Sequence, residues 1–243
     1  GHVASYRVGM RVEIWSDVIC PWCYIGKRRF ESALSQYAGA KDVEVVYRAY
    51  QLDPTAAPGE AMPAREGYAR KFGGYEQADR IIRQVSDVAA QSGLEFHMDR
   101  AKRANTLLAH RLLWQAEQCG GPALQSALKE RLLATYFVEG GHVGDPEALR
   151  SLALEVGMTA ADIDAVLEGP AGLAEVGAQI DLANELGITA VPTYVFEGRW
   201  SVPGAQDPEV FLNVLRRVET MLAESAPVAV ADDASCRDDA CGI

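Results

Sequence analysis

The sequence predicts an α/β protein in which one small domain is split into two halves by a long all-helical insertion and followed by a C-terminal tail. Three observations predict it. Runs rich in β-branched and aromatic residues stand near the two ends, at 10–17, 43–50 and 191–204, and the stretch between them is helical in pattern almost throughout. A Cys-x-x-Cys pair sits where the first strand turns into the first helix.

Met10 to Asp17 alternates, with Val12 and Ile14 on one side and Trp15 on the other, and reads as a strand. It runs directly into CPWCYIGKRRFESALSQYAG, where Ile25, Phe30, Leu34 and Tyr37 recur at helical spacing. Gly39 and Asp42 punctuate, and VEVVYRAY closes a βαβ unit whose strands should be parallel with a right-handed crossover. Asp53-Pro54 opens a Pro-, Gly- and Ala-rich connector through Pro63. Helices then follow to about Leu167: GYEQADRIIRQVSDVAAQSG, NTLLAHRLLWQAEQCGG, PALQSALKERLLATYF and DPEALRSLALEVG, each ended by Gly or opened by Pro or Asp-Pro. One more helix is expected over 172–186. A hairpin then pairs Thr193 to Glu197 with Trp200 to Val202 about Gly198-Arg199, and a last helix covers 208–222. The order βαβ, helical insertion, αββα is that of a thioredoxin fold with a helical domain spliced between its halves. The thioredoxin-like domain is then 11–54 with 170–224, the insertion 55–169, and the tail 225–243, which is small, acidic and without periodicity.

Composition narrows the function. With 243 residues, 49% of them hydrophobic and 23% charged, the chain is an ordinary globular protein. Its 23 Lys+Arg against 34 Asp+Glu give a net charge of -11, the wrong sign for binding nucleic acid or an anionic membrane. No apolar run approaches the roughly 20 residues of a membrane-spanning helix. GHVASYRVGM has no basic region followed by an apolar run, so a cytoplasmic monomer is expected. Gly1 and His2 read as the scar of a cleaved tag, which leaves room for a leader removed upstream. Five cysteines are too sparse for a disulfide-stapled scaffold, but four fall in two pairs, Cys20 with Cys23 and Cys236 with Cys241, leaving Cys119 alone.

Cys20, at the N-cap or N1 of a helix, would meet unpaired amides and the positive end of the helix dipole, which stabilise a thiolate and lower its pKa. Cys23, one turn on, lies within disulfide reach and is shielded, as a resolving thiol should be. Pro21 fits the first turn because its missing N–H costs nothing there. The alternatives are half of a zinc site or two buried structural cysteines. Redox chemistry needs no dissociable cofactor and no metal.

The runs SDVICPWCYIGKRRFESAL, NTLLAHRLLWQA and GITAVPTYVFEGRWSVPGAQ resemble, in matching order over about residues 11–222, the DsbA-like thioredoxin family and specifically its FrnE-type branch of disulfide oxidoreductases and isomerases. The resemblance implies a nucleophilic Cys20, a buried Cys23 and a cis-proline at Pro192 facing them, with the backbone of Val191 pairing with the substrate chain. The other reading of Val191-Pro192 is an ordinary trans proline opening an edge strand. The resemblance also implies cysteine-containing protein substrates and a redox partner such as a thioredoxin or glutathione system. Trp22, uncharged where some relatives carry His, points to a milder oxidant than DsbA. The related glutathione transferase kappa and 2-hydroxychromene-2-carboxylate isomerase group shares the layout but typically has Ser in place of Cys20. A zinc-dependent, non-enzymatic holdase is the remaining rival.

Cys236 and Cys241 depart from the family's bulk. They read as a second dithiol able to reach Cys20, as an inert disulfide, or as part of a zinc site shared by four sulfurs. Asp17 reads as a turn or cap residue, or as an aid to proton transfer at Cys23. Cys119 is expected to be a buried or half-buried structural thiol and His110 a helix-packing residue. His97 and His142 show no metal spacing. Trp114, Tyr136, Phe137 and Phe72 are core aromatics or the lining of a substrate groove. Gly73-Gly74 and Gly140-Gly141 do not follow strands, so no nucleotide site is expected.

Overall fold

The structure, a computed structural model, describes residues 9–225. Its centre is a four-stranded mixed sheet. Strand β1 (Met10–Ser16) runs into helix α1 (Pro21–Gln36), and a short 3-10 turn at Ala40–Asp42 leads to β2 (Val43–Ala49), which pairs parallel with β1. After the insertion, β5 (Thr193–Phe196) pairs antiparallel with β1, and β6 (Trp200–Pro203) with β5, giving the order β2-β1-β5-β6. Both faces of this sheet are covered, and the side-chain period of two serves both. Val12, Ile14, Tyr194 and Phe196 face Phe30 and Ala33 of α1 and Phe211, Leu215 and Val218 of α8 (Pro208–Ser225). Trp15 and Val195 face the other way, onto Ala183 of α7 (Leu173–Glu185) and Ile188. The Trp15 indole satisfies its N–H on the Gln179 carbonyl at 3.3 Å.

The insertion contains α2 (Ala64–Phe72), α3 (Tyr75–Gln91), α4 (Leu107–Ala134), a π-helical turn at Thr135–Glu139, α5 (Pro146–Glu155) and α6 (Ala160–Leu167). Its core is built on Leu112, Leu128, Leu132, Leu133, Phe137, Leu149, Ile163 and Val166, and it includes Val18, Ile19, Tyr24 and Ile25 from the start of α1. The Cys-x-x-Cys turn is thus wedged between the insertion and the sheet. Gln125 of α4 ties the two parts together on the outer edge of β2. Its side-chain oxygen accepts from the Tyr47 amide at 2.8 Å, and its amide group donates to the Tyr47 carbonyl at 3.1 Å. Gln179 does the same for the Ala49 amide at 2.9 Å, so edge groups that would otherwise be open are filled by side chains.

Two local features differ from the sequence expectation, a short strand pair within the insertion and the hairpin turn. The connector is not structureless up to Pro63: β3 (Ala61–Pro63) pairs antiparallel with β4 (Lys102–Ala104) inside the otherwise helical insertion. The two helices expected on either side of Gly120-Gly121 are present, both carried by the label α4, and they fold back on each other so that the Gln125 side chain donates to the Leu113 carbonyl at 3.2 Å. Gly121, at φ 74 and ψ -172, makes the break, and Pro122 restarts the helix where no amide is needed. The hairpin turn lies one residue earlier than expected. Glu197 and Gly198 both have positive φ, 54 and 63, and Arg199 donates to the Phe196 carbonyl at 3.0 Å, as in a type I′ turn. Among the described residues no helix is long and apolar enough to cross a membrane.

Candidate active site

Cys20 is the N-cap of α1, with φ -91 and ψ 115, and Pro21 occupies the first helical position. The Cys23 amide donates to the Cys20 sulfur at 3.1 Å, which is the bond a capping oxygen would normally make. The preceding turn is held by Asp17, whose Oδ1 accepts from the Val18 amide at 2.8 Å. Across the site the Val191 carbonyl lies 3.6 Å from the Cys20 sulfur, and the Val191-Pro192 peptide bond is cis. The proline is anchored on its far side, where its carbonyl accepts from the Gly204 amide at 2.8 Å. Gly26, on the face of α1 toward this loop, lets the two approach: a Cβ there would stand 2.6 Å from the Tyr194 hydroxyl and 3.1 Å from Pro192 Cγ.

Cys20 and Cys23 are each 3% exposed. Beside Cys20 opens a cavity of about 310 Å³ whose walls include Trp22, Tyr68, Phe72, Tyr136 and Val191. Tyr136 and Phe72 therefore do line a groove at the cysteine. Phe137 does not; it is fully buried and stacks on Phe96 at 4.6 Å. Trp114 lies elsewhere, around a small internal gap with Lys129 and Gln179.

The electrostatics run against the expectation of a Cys20 thiol below the free value. Burial, the hydrogen bond to Cys23 and the charge there push Cys20 well above the ordinary 9.0. Cys23, which burial would also raise, is brought below it by the hydrogen bond from Cys20, by Lys129, by the Asp17 backbone and by the Ser16 hydroxyl. Two sulfurs in contact hold one negative charge between them, so they titrate as a unit in which the first proton leaves readily and the second is retained.

Beneath the dithiol lies a polar layer that sequence reasoning missed. Asp17 is fully buried, and far from being a simple turn residue its Oδ1 meets His110 Nε2 at 3.0 Å while its Oδ2 accepts from the Leu52 amide at 2.8 Å. Burial alone would raise its carboxyl, but His110, the Leu52 amide and Lys129 together hold it below the usual 3.8. His110 is thus a partner of Asp17, not a packing residue. Lys129, 1% exposed, is the other missed group, and burial draws it below the ordinary lysine value against the opposing pull of Cys23, Asp17 and Cys20. Its signal was legible in principle: Gln125, Lys129 and Leu132 share one helical stripe, so a cation was marked for the interior.

Cys119 is exposed, contrary to the expected buried or half-buried thiol, because the chain breaks at Gly121 and leaves this end of the helix at the surface. His97 pairs with exposed Glu95 and His142 meets the Gly59 carbonyl, and among the described residues no group of His, Cys, Asp and Glu could hold a metal ion. Cys236 and Cys241 lie outside the described residues.

Comparisons with known proteins agree with this architecture. The chain is similar to a probable DsbA oxidoreductase from Streptomyces coelicolor, with 36% identity, a TM-score of 0.81, and coverage of 96% of this chain and 99% of that one. An uncharacterized protein of Bacillus subtilis, YwbO, is 28% identical over 207 residues, which is 83% of this chain and 94% of that protein. The fold alone is shared with the cytosolic disulfide reductase DsbM from Pseudomonas aeruginosa, at 18% identity, TM-score 0.60 and 87% and 99% coverage. It is shared equally with a 2-hydroxychromene-2-carboxylate isomerase, at 15%, TM-score 0.65 and 89% and 99%. The model of the DSBA-like thioredoxin domain matches residues 11–216, and the chain belongs to that family.

Proposed function

We propose that this protein is a thiol:disulfide oxidoreductase and isomerase acting on protein cysteines, of the FrnE-type branch, with Cys20 as nucleophile and Cys23 as resolving thiol. The observation that carries the reading is the capped Cys20 sulfur, facing the Val191 carbonyl at the mouth of an apolar cavity. A proton passes from Cys20 to Cys23 along the hydrogen bond between them, and the Cys20 thiolate attacks one sulfur of a substrate disulfide. A Cys20–substrate disulfide forms and the other substrate sulfur leaves as a thiolate. Cys23 then attacks Cys20, the Cys20–Cys23 disulfide forms, and the second substrate thiol departs, so two electrons pass from enzyme to substrate. The same steps in reverse oxidise a dithiol, and release without resolution followed by reattack isomerises. The Val191 backbone and Pro192 orient the substrate strand, while the cavity takes an apolar side chain next to its cysteine. A thioredoxin or glutathione system would reset the pair. Cys236 and Cys241 would form an auxiliary dithiol.

The test is a pair of variants in insulin reduction and in refolding of a scrambled disulfide substrate. Cys20→Ser should abolish both activities, whereas Cys23→Ser should accumulate covalent enzyme–substrate adducts. Equal residual activity in the two would refute the division of roles. Glutathione conjugation surviving in Cys20→Ser would favour the transferase-like reading.

A further inference from the structure

Lys129 stands apart from the other buried cations. Its ammonium makes no hydrogen bond, and among the described residues no carboxylate lies within ion-pair distance of it. The other charges packed around it are already matched. Arg48 of β2 bonds Glu13 at 2.6 Å and Glu117 at 2.9 Å, Lys27 of α1 is held by Glu31 and Glu130, and His110, from the helix before the Gly121 break, is engaged by Asp17. Asp17 in turn is filled by His110 and the amides of Val18 and Leu52. What the ammonium faces directly is the Tyr47 ring at 5.4 Å. The negative groups that act on it are Cys23, Asp17 and Cys20, with Cys23 the strongest. An ammonium buried without a counter-ion is costly, and a ring face offsets only part of that cost.

We propose that the thiolate of the Cys20–Cys23 pair is the counter-ion of Lys129, and that this lysine of the insertion is a positioning residue that makes the dithiol more oxidising. The inference rests on the redox reading above. Consider oxidation of the pair by glutathione disulfide. A thiolate and a thiol on the enzyme become one enzyme disulfide; the oxidant takes two electrons and leaves as one thiolate and one thiol, so the proton and the negative charge both depart with it. Lys129 stays behind, its ammonium now opposite an uncharged disulfide. The charge that favours the reduced state therefore disfavours the oxidised one. Trp22 supplies no cation from within the motif; Lys129 supplies one from beneath it.

The test equilibrates the full chain in glutathione redox buffers as wild type, Lys129→Met, Lys129→Gln and Lys129→Arg. Removing the charge should raise the equilibrium constant for oxidation by about tenfold or more, which for a two-electron couple is about 30 mV toward reducing. Thiolate absorbance of the reduced protein should move to higher pH in the Met and Gln variants and stay near wild type in the Arg variant. In the wild type the reduced form should melt above the oxidised form, and the Met variant should narrow that gap. A purely structural lysine would lower both melting temperatures together and leave the equilibrium constant unmoved, which overturns the proposal. If the uncharged variants do not fold, wild type decides: an oxidised form melting at or above the reduced form overturns it too. None of these readouts uses a protein substrate. A shifted equilibrium in a protein that fails to reduce insulin would keep the role of Lys129 and remove the proposed activity.

Discussion

The Cys20 sulfur and the Val191 carbonyl oxygen stand 3.6 Å apart although 171 positions separate them in the chain. The contact joins the two halves of the split domain at the reacting atom, so anything that displaces either half reaches the dithiol.

The first prediction concerns the shared charge of the pair. In the reduced wild type, thiolate absorbance should appear in two steps, one below the ordinary 9.0 and one well above it. Cys23→Ser removes the hydrogen bond and the charge that hold the Cys20 proton, so Cys20 should ionise at lower pH in that variant than in the wild type. Alkylation rate against pH measures both. A single step near the free-thiol value would contradict the coupling.

Asp17 and His110 should make stability depend on acid. The folded-state carboxyl lies below 3.8, so its ionised form stabilises the fold above that value, and the contribution is lost as pH falls through the lower, folded value. His110→Ala leaves the buried carboxylate with its amide partners alone and should cost about 3 kcal/mol at neutral pH. Denaturant midpoints from pH 7 to pH 3 would show whether the deficit shrinks as the wild type loses its own advantage.

Gly26→Ala pits two effects against each other. Alanine in a helix interior gains about 1 kcal/mol over glycine, but overpacking a buried site costs about 1–3 kcal/mol. The 2.6 Å approach to a fully buried Tyr194 decides for the penalty, because that ring has no room to retreat. A lower melting temperature together with slower disulfide exchange is expected. A higher melting temperature would mean that the loop at Pro192 yields without cost.

Deleting residues 226–243 addresses the second cysteine pair. An auxiliary dithiol predicts an unchanged melting temperature with an altered isomerase or reductase rate. Wild-type rates after truncation would make Cys236 and Cys241 inert, and lost stability accompanied by lost zinc would assign them to a metal.

The frame of the fold was legible because its two periods are distinct: Val12, Ile14 and Trp15 alternate, whereas Phe30, Leu34 and Tyr37 recur by turns of a helix. The strand-to-helix junction then placed Cys20 at a helix start, where the structure has it. The β3–β4 pair escaped because each strand is three residues long and one carries Pro63, too short for any alternation to register. The layer under the dithiol escaped for another reason. Its members come from the turn after β1, from the loop at Leu52 and from the two helices on either side of Gly121, so no local pattern joins Asp17 to His110 or Lys129. The direction of the cysteine shifts was equally out of reach, since it depends on one sulfur beside another in a dry pocket and not on the helix end alone.

The position of β5 beside β1, on the far side of the insertion from β2, governs how the chain comes off the ribosome. The first half emerges with β1 paired on one edge only, its other edge and the cysteine turn uncovered until β5 is made. All of the helical insertion is synthesised in that interval. Because its core encloses Val18, Ile19, Tyr24 and Ile25, those helices can shelter the nascent cysteines before the sheet is complete. Closure of β5 onto β1 is the long-range, slow event, and it is also the one that delivers Val191 to Cys20. The dithiol thus acquires Val191 only after the whole insertion has been synthesised.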